Sequence, residues 1–113
     1  MLPKHYRFIK GSDFGGVLRG GERVRGDFLD VKVKKTANAY PRVGVLVTRK
    51  IAKKATARNK LKRQLRGAVR HYIAGLKGGV DVAVIAREEI SGKTFLEIKT
   101  EVGNILKKGG VLV

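Results

Sequence analysis

The stretch RVGVLVTRKIAKKATARNKLKRQLRGAVR, Arg42 to Arg70, changes its hydrophobic period part-way along. Val43, Val45 and Val47 alternate with Arg42, Gly44, Leu46 and Thr48, the period-two pattern of a strand with one buried face. From Thr56 onward the period lengthens. Leu61, Leu65, Ala68, Val69, Tyr72 and Leu76 recur at helical spacing. At about 100° per residue, Asn59, Lys60, Lys62, Arg63, Arg66 and Arg70 fall on the other side. Thr56 is placed to cap this helix, and Gly78-Gly79 to stop it. Arg58 falls in the first turn near the edge of the apolar stripe, where it can point off the helix end.

Working outward, VDVAVIAR at residues 80–87 is a short apolar run, the pattern of a largely buried strand. TFLEIKTEVGNILKKGG, from Thr94, predicts a last helix. Thr94 and Glu97 fit a capping box, and Phe95, Ile98, Val102, Ile105 and Leu106 make its apolar stripe. Upstream, Leu29, Val31 and Val33 alternate with Phe28, Asp30, Lys32 and Lys34, a strand with one buried face. Before it, GSDFGGVLRGG predicts a short first helix capped by Ser12, with Phe14, Val17 and Leu18 apolar. The order is α β β α β α, with room for one further short strand, in a single domain spanning residues 1–113.

The charge is uneven. Lys plus Arg number 26 against 9 Asp plus Glu, a formal net charge of +17. No carboxylate stands between Asp30 and Asp81, whereas residues 31–80 hold 15 basic residues. A solvated surface normally mixes both signs. On the long helix Lys62/Arg66 and Arg66/Arg70 are like charges at i, i+4 spacing, which repel. Basic residues also open that helix, where the backbone already carries partial positive charge. Phosphates would turn this repulsion into attraction, and counterion release would add affinity. A membrane surface fits less well, because the apolar face of the helix is needed to cover the sheet.

The catalytic inventory is thin. His5 and His71 lie far apart in sequence, and no Ser/His/Asp order or phosphate-cradling glycine loop appears. Glu88-Glu89 reads as a solvated turn rather than a metal site, and no protein metal site is predicted. Cysteine is absent, which excludes disulfides, thiol catalysis and thiolate zinc sites. The first residues hold no run long enough for a signal peptide, and no stretch approaches the length of a membrane span. A cytoplasmic protein that contacts RNA or DNA is the expectation. Phe28 shares its predicted strand face with Lys32, Arg42 and Thr48 lie on the matching face of the next strand, and Phe14 comes from the helix that would roof them. Two readings stand for the aromatics: they stack on unpaired bases, or they pack a minor core.

Residues 42–70 resemble the signature region of the bacterial ribonuclease P protein subunit. The matching pattern is Arg42, Gly44, Val47 and Thr48 on the strand, then Arg49-Lys50, then Arg58, Asn59, Lys60, Lys62 and Arg63 at the helix start, with Arg66 a turn on. FIKGSDFGGVLRGGERV and DVAVIAR are similar to flanking parts of that family. Lys60 stands where many members have arginine, and Asp30-Val31 where an aromatic is common.

The resemblance implies an α/β sandwich of the ribosomal protein S5 domain 2-like type with a left-handed β-α-β crossover. It implies an accessory subunit that binds a catalytic RNA and the single-stranded 5′ leader of precursor tRNA, with Mg²⁺-dependent catalysis carried by the RNA. No catalytic side chain and no obligate protein partner follow from it. Carried onto this chain, the catalytic-RNA contacts fall on Arg49, Lys50, Lys53, Arg58, Asn59, Lys60, Lys62, Arg63 and Arg66. The leader cleft falls on Phe14, Phe28, Lys32, Arg42 and Thr48. A ribosomal or other structural RNA-binding protein is the alternative.

Overall fold

A computed structural model describes residues 6–8 and 11–112, apart from the side chain of Ser12. Among the described residues, three α-helices and four strands follow the order α1 (Gly11–Gly20), β1 (Glu22–Arg25), β2 (Leu29–Lys35), β3 (Arg42–Leu46), α2 (Ala55–Tyr72), β4 (Val80–Ala86) and α3 (Phe95–Lys108). β1 is the further short strand for which the sequence left room. The strands form one sheet in the order β1-β2-β4-β3. β2 runs antiparallel to β1 and β4, while β3 and β4 are parallel and joined through α2.

Register sorts the two faces. Val24, Val31, Val84 and Val45 align across the sheet, as do Val33, Val82 and Val43. With Leu29 and Ala86 they meet Leu65, Ala68 and Val69 of α2 and Ile98, Val102, Ile105 and Leu106 of α3 in the main core. Burying a side chain of this size stabilises by about 1.5–3 kcal/mol. On the opposite face Arg23, Lys32, Ala83 and Gly44 align, and beside them Lys34, Asp81 and Arg42. This face receives α1, whose Val17 is fully buried. A Cβ on Gly44 would fall 2.5 Å from the Phe14 ring, so only glycine gives that ring its seat.

Several expectations are corrected. α2 begins at Ala55 with Lys54 as its N-cap, so Thr56 lies inside the first turn and caps nothing. It ends at Tyr72, ahead of Gly78-Gly79, because residues 73–75 tighten into a 3₁₀ turn and Leu76 bridges to Leu112. α1 starts at Gly11, one residue before Ser12, whose side chain lies outside the described residues. The Thr94–Glu97 capping box forms as predicted.

Candidate nucleic-acid interface

Where the carboxylates go decides which cations remain available. Asp30 is fully buried and accepts from Arg23 Nε at 2.9 Å, with Arg87 Nη1 at 3.4 Å on its other oxygen. Asp81, 3% exposed, is forked by Arg42 at 2.9 and 2.6 Å. Arg42 also donates to Asp13 at 3.1 Å. Glu101 is buried and accepts the backbone N–H groups of Asp27 and Phe28. Glu89 pairs with Arg87, and Glu97 accepts from the Thr94 N–H at 2.9 Å. These six of the nine acids are thus engaged within the chain, and Asp30, Asp81 and Glu101 are buried.

On α2 the opposite holds. Among the described residues, Lys60, Lys62, Arg63, Arg66 and Arg70 make no ion pair and no side-chain hydrogen bond. All are exposed except Lys62, which sits at the margin of the apolar stripe and is half-buried. Asn59 is exposed beside them, and Arg49, Lys50 and Lys53 extend the same charge into the connector before the helix. The first turn of α2 holds no acid, and no side chain caps it. The structure therefore brings the predicted helix-face residues together as one basic surface.

Arg58 differs from its neighbours. Its guanidinium turns back and donates to the Ala52 and Lys53 carbonyls at 3.1 and 2.7 Å. It braces the turn from which α2 starts, a position set by its place on the inward side of the first turn.

The predicted cleft residues divide. Phe28 is corrected: it precedes β2, is 6% exposed and belongs to the main core. The bend at Gly26–Phe28 breaks the strand alternation, so Phe28 does not share the face of Lys32 and Lys34. Arg42 and Lys32 do lie on the α1 face, but both are engaged. The bond to Asp81 is the main cause that raises the Arg42 pKa above its ordinary value, while burial opposes it. Lys32 donates to the Leu18 carbonyl near the C-terminus of α1. Phe14 is half-buried against Gly44, and Thr48 is exposed just past β3.

Three aromatics on this side were not singled out in the sequence. Phe8 lies 5.2 Å from Phe14, centroid to centroid, with the Arg42 guanidinium 5.0 Å over its ring. Tyr6 meets Tyr40 edge-on at 5.9 Å. The sequence sets Tyr6 and Phe8 shortly ahead of Phe14, with no period that links the rings. Among the described residues no three His, Asp or Glu side chains gather into a metal-binding group, and no helix is long and apolar enough to cross a membrane.

Comparison with known proteins fits this geometry. The family model for ribonuclease P matches residues 2–110. The ribonuclease P protein component of Pseudanabaena sp. is 36% identical over 99% of this chain and 97% of its own length. That of Synechocystis sp. is 33% identical over 98% and 90%. Among solved structures, a Staphylococcus aureus RNase P protein mutant with defective mRNA degradation activity superposes with a TM-score of 0.86 at 28% identity, covering 96% of this chain and 92% of that one. The RNase P protein from Thermotoga maritima gives 0.76 at 32% identity, over 85% and 90%. The chain therefore belongs to the ribonuclease P protein family, the protein component of the endoribonuclease that matures the 5′ ends of tRNA.

Proposed function

We propose that the exposed face of α2 binds the catalytic RNA of ribonuclease P, and that the α1 face of the sheet receives the single-stranded 5′ leader of precursor tRNA. One observation carries the first half: the α2 cations have no carboxylate partners among the described residues, although buried acids elsewhere are each matched. Positive charge left unmatched on one face is an electrostatic footprint for phosphate. Arg63, Arg66 and Arg70 supply forks that clasp phosphate at two points. Lys60 and Lys62 supply point charges, and Asn59 a group able to bond a 2′-hydroxyl.

For the leader, Phe14 and Phe8 form an aromatic floor over Gly44, with Thr48 at the β3 end. Unpaired bases stack on such rings without sequence preference. Arg42 and Lys32 shape this surface and are not assigned phosphate contacts. Cleavage then rests with the RNA and its associated Mg²⁺. The protein screens repulsion between two polyanions and so raises affinity for substrate and metal.

Precursor tRNA cleavage at low Mg²⁺ tests this reading with protein alone, RNA alone and both together. Activity in the mixture only is the expected result. Activity of the protein by itself would overturn the assignment of catalysis to RNA. Phe14→Ala in the mixture should weaken leader-bearing substrate while leaving affinity for mature tRNA intact. Equal loss for both would remove Phe14 from the leader site.

A further inference from the structure

One exposed aromatic is not used by the fold or by the leader face. Phe95, the first residue of α3, is 45% exposed, and Leu96 beside it is 69% exposed. The Phe95 ring lies against Gly67 in the middle of α2: a Cβ there would stand 3.4 Å from Phe95 Cε1. Gly67 is itself exposed and weakens the helix relative to alanine. Its benefit is a bare strip of helix on which the ring can rest. On a helix surface, positions three and four away are the neighbours of a residue. For Gly67 these are Arg63, Gln64, Arg70 and His71, of which the two arginines and the histidine are exposed. An aromatic ring from α3 thereby rests at the edge of the basic face of α2.

The N-terminal N–H groups of α3 do not explain the exposed ring. Glu97 N–H is taken by the Thr94 hydroxyl and Thr94 N–H by the Glu97 carboxylate. What remains on offer is a flat apolar face beside the exposed cations of α2. That combination suits an unpaired nucleobase whose flanking phosphates meet the cations. An apolar protein partner would have to desolvate Arg63 and Arg70 with nothing to pair them.

We propose that Phe95, seated on Gly67 at the edge of the basic face of α2, is a stacking site for an unpaired base of the ribonuclease P RNA. This rests on the reading that α2 binds that RNA, and it extends the RNA-binding surface onto α3.

The test measures affinity of the full chain for ribonuclease P RNA across a salt series, for the parent and for Phe95→Ala, Phe95→Leu and Phe95→Trp, with folding checked by circular dichroism. Stacking predicts that Phe95→Ala and Phe95→Leu each lose roughly 5- to 150-fold in affinity. The slope of log K against log salt should stay unchanged, because every cation that meets a phosphate is still present. Phe95→Trp should restore affinity. The protein contains no other tryptophan, so the emission of that variant should also be quenched as RNA saturates it.

Full affinity in Phe95→Leu would make the ring an apolar spacer and overturn the proposal. So would unaltered affinity in Phe95→Ala together with lost self-association in sedimentation, which would assign the patch to a second copy of the chain. Both results leave the α2 reading standing. Salt-insensitive binding by the parent would instead remove that reading, and this site with it.

Discussion

Asp81 is nearly sealed from water and lies on the central strand, where an unpaired carboxylate would be costly. Arg42 makes its burial tolerable by matching both oxygens. Arg42→Ala should therefore cost about 3–5 kcal/mol, read by urea denaturation. Arg42→Lys should recover only part of that loss, because an ammonium lacks the fork. A loss below about 1 kcal/mol would mean that Asp81 is reached by water, and would return Arg42 to the pool of phosphate ligands. No single-residue reading separates such an arginine from a ligand, since its partner is 39 positions away and is found only through the β3–β4 register. Phe28 misleads for a related reason: alternation was extended one residue past the point where the chain bends.

Thr94 and Glu97 were legible because a capping box is local. Thr94→Ala should cost about 1 kcal/mol. Hydrogen bonding, first from the Thr94 backbone N–H, holds the Glu97 carboxyl below its ordinary value, against a small opposing effect of burial. A carboxyl whose folded pKa is depressed contributes stability above its unfolded pKa and loses it as pH falls through the folded value. Glu97→Gln keeps the reciprocal bond but removes the titration. Stability curves should show the variant below the parent near neutral pH and converging with it in acid, with a flatter acid limb. An unchanged acid limb would mean that the bond to Thr94 N–H does not persist in solution.

At the scale of the element, α2 combines two demands that the sequence displays separately. Its apolar stripe was readable from spacing, and so was its basic face, because both depend on the 3.6-residue period alone. Its ends were not. Lys54 occupies the N-cap without a side-chain bond, and the start is held by Arg58 reaching back to two carbonyls. No cap residue marks such a start. The face and the brace should separate experimentally. Arg63→Ala with Arg66→Ala should make the dependence of log K on log salt shallower by roughly 0.7–0.9 for each phosphate no longer neutralised, with little change in melting temperature. An unchanged slope would remove both arginines from the interface.

For the whole molecule, a net charge of +17 on a chain of 12.9 Å radius of gyration opposes compaction. The repulsion is greatest where α2 holds its cations together. Anions that bind the folded face should offset it, since a ligand of the native state stabilises by mass action. The melting temperature should rise more with sulfate than with chloride at equal ionic strength. The excess should shrink in the Arg63→Ala, Arg66→Ala variant. Equal responses to the two salts would show general screening only. The α/β class, the three α-helices and the three longer strands were legible at this scale because each has its own period or, for β4, an unbroken apolar run. The strand order β1-β2-β4-β3 was not, because it depends on which valine row each strand meets.

That strand order has a consequence for how the chain comes together in time. β4 lies between β2 and β3, yet it is the last strand to be synthesised. Until residue 80 is available, β2 can pair only with β1, and β3 has no neighbour at all. α2 emerges before the strand that completes the floor beneath it. A nascent chain at that stage holds α1, the β1–β2 hairpin and an unpaired β3, followed by a bare cationic helix former exposed to whatever polyanion is nearby. Closure then inserts a single segment between two waiting edges, so amide protection in β2, β3 and β4 should arise in one cooperative step.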